Sequence, residues 1–382
     1  MKSEQFAEIK LSKVAPILRG LLAEPSGDEN IPYRRVILKS LTDEKVRDPV
    51  PFKNTEIPPM YVGLFEHDAS PEKLRENFKV AVEDYFKANG SKPKIILLQN
   101  TGILYVEERP DTGLPLENEV ALVTGAAGAI GSGICRGLLE KGCYVAATDL
   151  PGERLDSLIK ELKEIASERI IGVEIDVTDK NSMAEGFNKI SRAWGGVDIV
   201  VVNAGIPLIA SLMEMDIDDF RRLERVNVEG TLITLSEAGR HLCLQCTGGD
   251  IVVISTKNVF APGANFGAYS ATKAAAHQLA RIASIELAEF GIRVNMVAPD
   301  AVFSAGKRKS GLREKIGPDR MRDKGIVEEK ELQEYYRSRN LLKARITAQH
   351  VANAVLFFVT RQTPTTGATI PVDGGLPDAT PR

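Results

Sequence analysis

The sequence predicts an α/β protein in which a doubly wound parallel sheet of about seven strands fills the last two-thirds of the chain, behind a smaller α/β region. Three observations predict it. Short Val- and Ile-rich runs without polar alternation recur between segments of helical spacing, as strands buried on both faces do when helices connect them. The first such run enters a glycine-rich turn. A stretch rich in Pro, Gly and acids, residues 107–119 (EERPDTGLPLENE), reads as a linker and separates this pattern from mixed signals before it.

In chain order, the proline-rich residues 43–60 read as an irregular loop. Residues 71–89 (PEKLRENFKVAVEDYFKAN) set Leu74, Phe78, Val82 and Phe86 at helical spacing. Residues 93–106 (PKIILLQNTGILYV) read as one or two short strands. Beyond the linker, the runs 120–124, 144–148, 170–175, 197–202, 250–254 and 293–297 read as strands. Residues 132–141, 153–167, 182–194, 220–245 and 268–290 read as the helices between them. Two units follow, 1–115 and 116–382.

The chain has 382 residues, 43% of them hydrophobic, enough for one large domain and one small one. Its net charge of -3 argues against a nucleic-acid partner. No uninterrupted run of about 18 apolar residues marks a membrane span, and the charged start MKSEQFAEIKLSK lacks the core of a secretory signal. A soluble cytoplasmic protein is expected. Cys243 and Cys246 form a CxxC with no second pair or paired histidines nearby, so packing of small thiols is the expected role and no metal site is expected.

The first strand of the larger unit runs into Thr124-Gly125-Ala126-Ala127-Gly128-Ala129-Ile130-Gly131 and then a helix. Such a turn brings backbone amides against a pyrophosphate at a helix N-terminus, the arrangement of a Rossmann-type sheet. The second strand ends at Asp149, about 20 residues on, where an acid accepts from ribose hydroxyls and repels a 2′-phosphate. No Arg or Lys lies between Gly125 and Gly131 or just after Asp149, which favours NAD over NADP.

Residues 118–375 resemble the classical short-chain dehydrogenase/reductase family, motif by motif and in order. Asp176-Val177 resembles the family's adenine-contacting pair, Asn203-Ala204-Gly205 its NAG motif, and Asn227 in VNVEG its helix asparagine. Tyr269-Ser270-Ala271-Thr272-Lys273 matches YxxxK, and Gly367 with Val372-Asp373-Gly374-Gly375 the C-terminal strand. Two departures stand out. Ala129 takes the place of the middle glycine of TGxxxGxG, and Pro299-Asp300 stands where Pro-Gly is usual, which puts Asp300 near the nicotinamide end.

Removing an alcohol proton needs a base, and a tyrosine of pKa about 10 is a poor one unless a nearby ammonium favours the phenolate. Tyr269 and Lys273, at i and i+4, share a helix face. The resemblance implies that Tyr269 is the base in oxidation and the acid in reduction, and that Lys273 also holds the nicotinamide ribose. It implies that Asn227 supports a proton relay and that the family's substrate-binding serine is replaced by Thr256, with Ser255 as substitute. It further implies Pro299 at the cofactor, a small-molecule substrate, and a homodimer or homotetramer built on the long helices flanking the catalytic strand.

The segment 301–346 is basic at first (Lys307, Arg308, Lys309, Arg313, Lys315, Arg320, Arg322, Lys324) and reads either as a grip for an anionic substrate or as a solvated lid. Thr256-Lys257-Asn258, Pro262-Gly263 and residues 336–342 (YRSRNLL) are similar to the dehydrogenase half of bifunctional class II aldolase/short-chain dehydrogenase fusions of the rhamnulose-phosphate aldolase/lactaldehyde dehydrogenase type. Residues 13–47 and 93–106 resemble pieces of the aldolase half. A class II aldolase holds a divalent metal with several histidines; of the four histidines here only His67 precedes residue 120, and it reads as a surface residue. The first 115 residues are therefore expected to be an aldolase remnant without a metal. The expected activity is hydride transfer between NAD and a small polyol, sugar derivative or hydroxyaldehyde. The alternatives are an NAD-dependent epimerase or dehydratase, and an NAD-binding regulatory or assembly module.

Overall fold

The computed structural model describes residues 2–41, 58–63, 69–99, 101–305, 308–310 and 317–379. His67 and most of the loop expected at 43–60 lie outside them. The chain opens with α1 (Lys2–Leu22), a ribbon of β1 (Glu24–Pro25) and β2 (Tyr33–Arg34), then β3 (Leu38–Leu41), β4 (Met60–Val62), α2 (Pro71–Asn89), β5 (Ile95–Leu98) and β6 (Gly102–Val106). Met60 thus begins a strand rather than ending a loop. The strands form a sheet ordered β3-β6-β5-β4, antiparallel except where β4 runs beside β5. α2 starts where the Ser70 hydroxyl accepts from the Lys73 amide and Pro71 presets the first turn; it stops at Gly90, left-handed at φ 74. Leu74, Phe78 and Val82 are buried as their spacing predicts, but Tyr85 takes the fourth place and Phe86 is 51% exposed.

The larger unit runs β7 (Val120–Thr124), α3 (Ala129–Glu140), β8 (Tyr144–Asp149), α4 (Glu153–Ala166), β9 (Ile170–Glu174), α5 (Lys180–Trp194), β10 (Ile199–Val202), α6 (Ile217–Glu224) and α7 (Gly230–Gln245). It continues β11 (Gly249–Ile254), α8 (Gly267–Glu286), β12 (Ile292–Pro299), the ribbon β13 (Ser304–Ala305) and β14 (Arg308–Lys309), α9 (Gly317–Lys324), α10 (Glu329–Arg339), α11 (Ala348–Val359) and β15 (Thr369–Val372). Its parallel sheet has 7 strands in the order β15-β12-β11-β10-β7-β8-β9. β7, β10 and β11 are buried along their length, which is why they read as unbroken apolar runs. Ile134, Leu138, Val351 and Val355 from α3 and α11 fill one face; Phe187, Ile190, Leu242 and Ala280 from α5, α7 and α8 fill the other. Strand order reverses between β7 and β10, so a crevice opens at their carboxyl ends.

One expectation needs correction. Residues 220–245 are not one α-helix: α6 and α7 are joined through a π-turn at Arg225–Glu229. Residues 107–119 connect β6 to β7, with 108–115 exposed and both ends pinned. Glu107 accepts from the Tyr144 hydroxyl at 2.6 Å and pairs with Lys39, Glu119 pairs with Arg35, and the Leu116 amide donates to Lys141. The acids that made the stretch look solvated each meet a cation or a donor. The first unit keeps its own core of Leu11, Leu18, Phe78, Ile96 and Leu104, and lays α1 against α5 and α7. Gly20 permits that approach, since a Cβ there would sit 1.9 Å from the Gln245 carbonyl oxygen.

Candidate active site

The turn after β7 is shaped by steric need. Gly125 has φ 62, and a Cβ on it would come 2.8 Å from Ala204 Cα. A Cβ on Gly131 would come 2.4 Å from the Gly125 oxygen. Asn203 fastens the turn from the neighbouring strand, its Nδ2 donating to the Thr124 and Gly125 oxygens at 2.9 and 3.0 Å. The amides of Asn203 and Ala204 donate to the Thr124 hydroxyl. Gly128 precedes α3 with no side-chain cap, so the first-turn amides face the crevice as an anion site. Ala129, the departure from the glycine pattern, is 2% exposed and turns its methyl into the protein, while Ile130 lines the cleft.

At the end of β8 the Asp149 carboxylate accepts from the Ala127 and Leu150 amides, both at 2.9 Å, which holds it against the glycine turn. A carboxylate has about four lone-pair sites, so acceptor capacity remains for a ribose. After β9, Asp176 accepts from the Thr178 amide and hydroxyl, and Val177 packs beneath Gly230, where a Cβ would meet it at 2.9 Å. These contacts make a cradle that fits a dinucleotide.

Tyr269 lies in the first turn of α8 and Lys273 one turn on. Both line the cleft together with Thr256, Asn203 and Gly205. Burial pushes the Tyr269 phenol up to about 12, against a hydrogen bond with Thr256 that favours the phenolate. Burial pulls the Lys273 ammonium down to about 8, and its Nζ donates to the Ile254 oxygen at 3.0 Å. A Cβ on Gly205 would lie 3.1 Å from that Nζ, so the loop after β10 closes directly on α8. Ser255, the substitute expected for Thr256, also lines the cleft, and its hydroxyl is bonded with His277 Nδ1 at 2.9 Å. The Asn227 side chain is fully buried on the π-turn, bonded to both backbone groups of Ile206 and donating to the Thr272 hydroxyl at 3.1 Å, so it ties the loop after β10 to α8.

The short chain dehydrogenase profile matches residues 119–315, slightly over half of the chain. The chain belongs to the short-chain dehydrogenase family. An uncharacterized oxidoreductase of Bacillus subtilis, YuxG, is 36% identical over 267 residues, 69% of this chain and 38% of that protein. The (-)-isopiperitenol/(-)-carveol dehydrogenase of Mentha piperita is 30% identical over 68% of this chain and 94% of its own length. Sorbitol-6-phosphate 2-dehydrogenase SrlD from Erwinia amylovora superposes with a TM-score of 0.62 at 26% identity, over 67% of this chain and 98% of its own. The family uses nicotinamide cofactors, NAD or NADP.

The outer wall of this dehydrogenase's cleft brings together residues from three separate sequence segments. Asp300, after Pro299, accepts from one Arg339 nitrogen at 2.7 and 3.1 Å. The Arg339 guanidinium lies 4.4 Å over the Tyr336 ring. Asn258, 6% exposed, also lines the cleft. Of the basic segment, Lys307, Arg313 and Lys315 lie outside the described residues. Arg308 turns to α4, where it pairs with Glu161 at 3.1 Å. Cys246, expected to pack, is exposed at the left-handed end of α7, while Cys243 is half-buried. Among the described residues no grouping of three or more His, Cys, Asp or Glu side chains suits a metal, and no helix is long and apolar enough to cross a membrane.

Proposed function

We propose that this short-chain dehydrogenase moves a hydride between NAD and a small alcohol or carbonyl substrate, a polyol, sugar derivative or hydroxyaldehyde. The observation that carries the reading is the half-buried Tyr269 phenol, hydrogen-bonded with Thr256 and sharing its cleft with Lys273 beside the sheet's switch point. Asp149 supports NAD over NADP: a fixed carboxylate at the end of β8, followed by Leu150 rather than a cation, repels a 2′-phosphate.

In oxidation, the substrate hydroxyl binds between Thr256 and Tyr269. The Tyr269 phenolate takes the hydroxyl proton as the carbon–oxygen bond gains double-bond character. Bound NAD supplies the acceptor for the hydride that leaves the same carbon. Thr256 donates to the developing carbonyl oxygen, and the Lys273 ammonium favours the phenolate before the transfer and holds the ribose. Reduction reverses each step, with the Tyr269 phenol as acid.

Residues 1–115 are read as a shortened relative of an aldolase half that contributes no metal chemistry. The reading rests on the resemblance of residues 13–47 and 93–106; the Bacillus relative is longer than this chain, the match spanning 38% of it. The assembly is read as a homodimer or homotetramer through α7 and α8, which expose Leu232, Ile282 and Ile285. Light scattering that gives a monomer mass at working concentration would remove that part.

The test of the activity is NADH formation across small polyols, sugar acids, sugar phosphates, secondary alcohols and lactaldehyde, with Tyr269→Phe alongside. Turnover that vanishes in the variant is the expected result. Silence on every member, with NADH still bound, would overturn the reading in favour of a regulatory module.

A further inference from the structure

Two polar features of the outer cleft play no part in the proton and hydride chemistry. The first is the Asp300–Arg339 pair. The Asp300 side chain is only 6% exposed and Arg339 21%, and both line the cleft that holds Tyr269. Asp300 stands where the family resemblance leads one to expect glycine, so the pair is an addition to a common framework. The guanidinium is locked from above by the Tyr336 and Tyr335 rings at 4.4 and 5.4 Å. The second is Asn258. Its Oδ1 is buried with no hydrogen-bond partner, on the wall of the same cleft. A buried acceptor left empty costs free energy, which a donor brought into the cleft by a ligand would recover.

Resting on the dehydrogenase reading above, we propose that these residues select an uncharged, polyhydroxylated substrate, and that Asp300 excludes carboxylates and phosphates by neutralising Arg339. A hydroxyl both donates and accepts. One hydroxyl beside the reacting carbon donates to Asn258 Oδ1. Others, farther along, donate to the Asp300 carboxylate and accept from the Arg339 guanidinium, which a bare hydrocarbon cannot do. An anionic substrate meets the opposite situation. Its natural partner, Arg339, is already engaged by an internal carboxylate, and that carboxylate repels it at close range. Arg308 offers no alternative grip, because it faces α4. Asp300, Arg339 and Asn258 are thus specificity-determining residues.

The experiment compares kcat/KM of the full chain with NAD on three probes: xylitol, its aldonate, and 2-butanol, which lacks neighbouring hydroxyls. Wild type is expected to favour xylitol over both others. Asp300→Asn frees Arg339, so the xylitol-to-aldonate ratio is expected to fall by at least about tenfold, mostly through KM. Asn258→Leu is expected to lower the xylitol-to-2-butanol ratio by a similar factor. Asp300→Ser provides a second version should the first variant fold poorly, and melting temperatures identify that case. Wild type that prefers the aldonate, or ratios unchanged in variants that fold and bind NADH, would overturn the inference and leave the dehydrogenase standing. Wild type silent on all three and on the wider alcohol panel, with NADH bound, would instead bring down the dehydrogenase reading itself.

Discussion

Arg19, from the first helix of the chain, clamps Asp198 at the amino end of β10 with two parallel hydrogen bonds: its two terminal nitrogens donate to the two carboxylate oxygens at 2.8 and 2.7 Å. Both side chains are sealed from solvent, at 1% and 0% exposure. Arg35 adds a second cation at 3.0 Å, and the Val120 amide donates to the same carboxylate. Burial raises the Asp198 pKa, but the two guanidinium groups outweigh it and hold the acid at about 2. Breaking a buried pair strands a charge, so Arg19→Met is expected to destabilise the full chain by about 3 to 5 kcal/mol in urea unfolding. A loss under about 1 kcal/mol would mean that Arg35 suffices alone.

The same neighbourhood contains an acid-sensitive histidine. Burial, reinforced by the Arg19 cation, pulls His241 down to about 4. It sits there neutral, with Nε2 accepting from the Val197 amide at 3.1 Å. The unfolded chain takes up this proton near pH 6.5, so its contribution is complete above about 6.5 and is lost as pH falls toward 4, in total about 3 kcal/mol. His241→Gln retains an acceptor oxygen but does not titrate. Chemical denaturation across that window should show wild type losing its advantage over the variant as pH drops. A constant gap would show that His241 does not carry the acid sensitivity.

Thr256 can be separated from Tyr269 by a pH profile. Its hydrogen bond lowers a phenol that burial has raised to about 12. Thr256→Val should therefore move the alkaline rise of the oxidation rate to higher pH and cut kcat/KM by at least about tenfold, whereas Thr256→Ser should restore both. Ser255→Ala, which loses only the bond to His277, should leave the profile in place. The reverse pattern would give Ser255 the role.

Two glycines of the turn should fail differently. Gly131→Ala drives a methyl to 2.4 Å from the Gly125 oxygen and should lower the melting temperature. Gly128 has an ordinary φ of -76, and a Cβ there meets protein only at 3.4 Å, in ordinary contact. Gly128→Ala should therefore leave melting nearly unchanged and weaken NADH binding, measured by fluorescence titration. Tight binding in that variant would show that the backbone at residue 128 does not approach the cofactor.

The larger unit was legible because its strands are buried on both faces and leave runs of Val and Ile that no helix period imitates. The turn at Gly125–Gly131, Asp149 and the Tyr269–Lys273 pair were legible because their chemistry depends on short-range spacing. What escaped was set by tertiary pairing. Arg19 looks like any helix cation, since its carboxylate lies 179 positions away. Glu107 and Glu119 looked like linker acids because composition records charge but not partners. Asn258 and Arg339 stand in segments noted for their resemblance, but only the crevice brings the two together. The bonds of Asn227 to Ile206 and Thr272, which tie the loop after β10 to α8, join partners 21 and 45 positions apart and leave no local pattern.

The π-turn at Arg225–Glu229 ties this dehydrogenase's history to its geometry. A π-turn is an α-helix that has accommodated one extra residue, and each residue of an α-helix advances the direction of the next side chain by about 100°. Deleting any one residue of that turn would restore an ordinary helix and swing the rest of the segment around its axis. Thr231 would leave its carbonyl partner at Asn227, and Val177 would no longer pack beneath Gly230. The turn is thus a register mark: a single-residue indel there is costlier than most substitutions, because it misaligns a whole helix against the sheet.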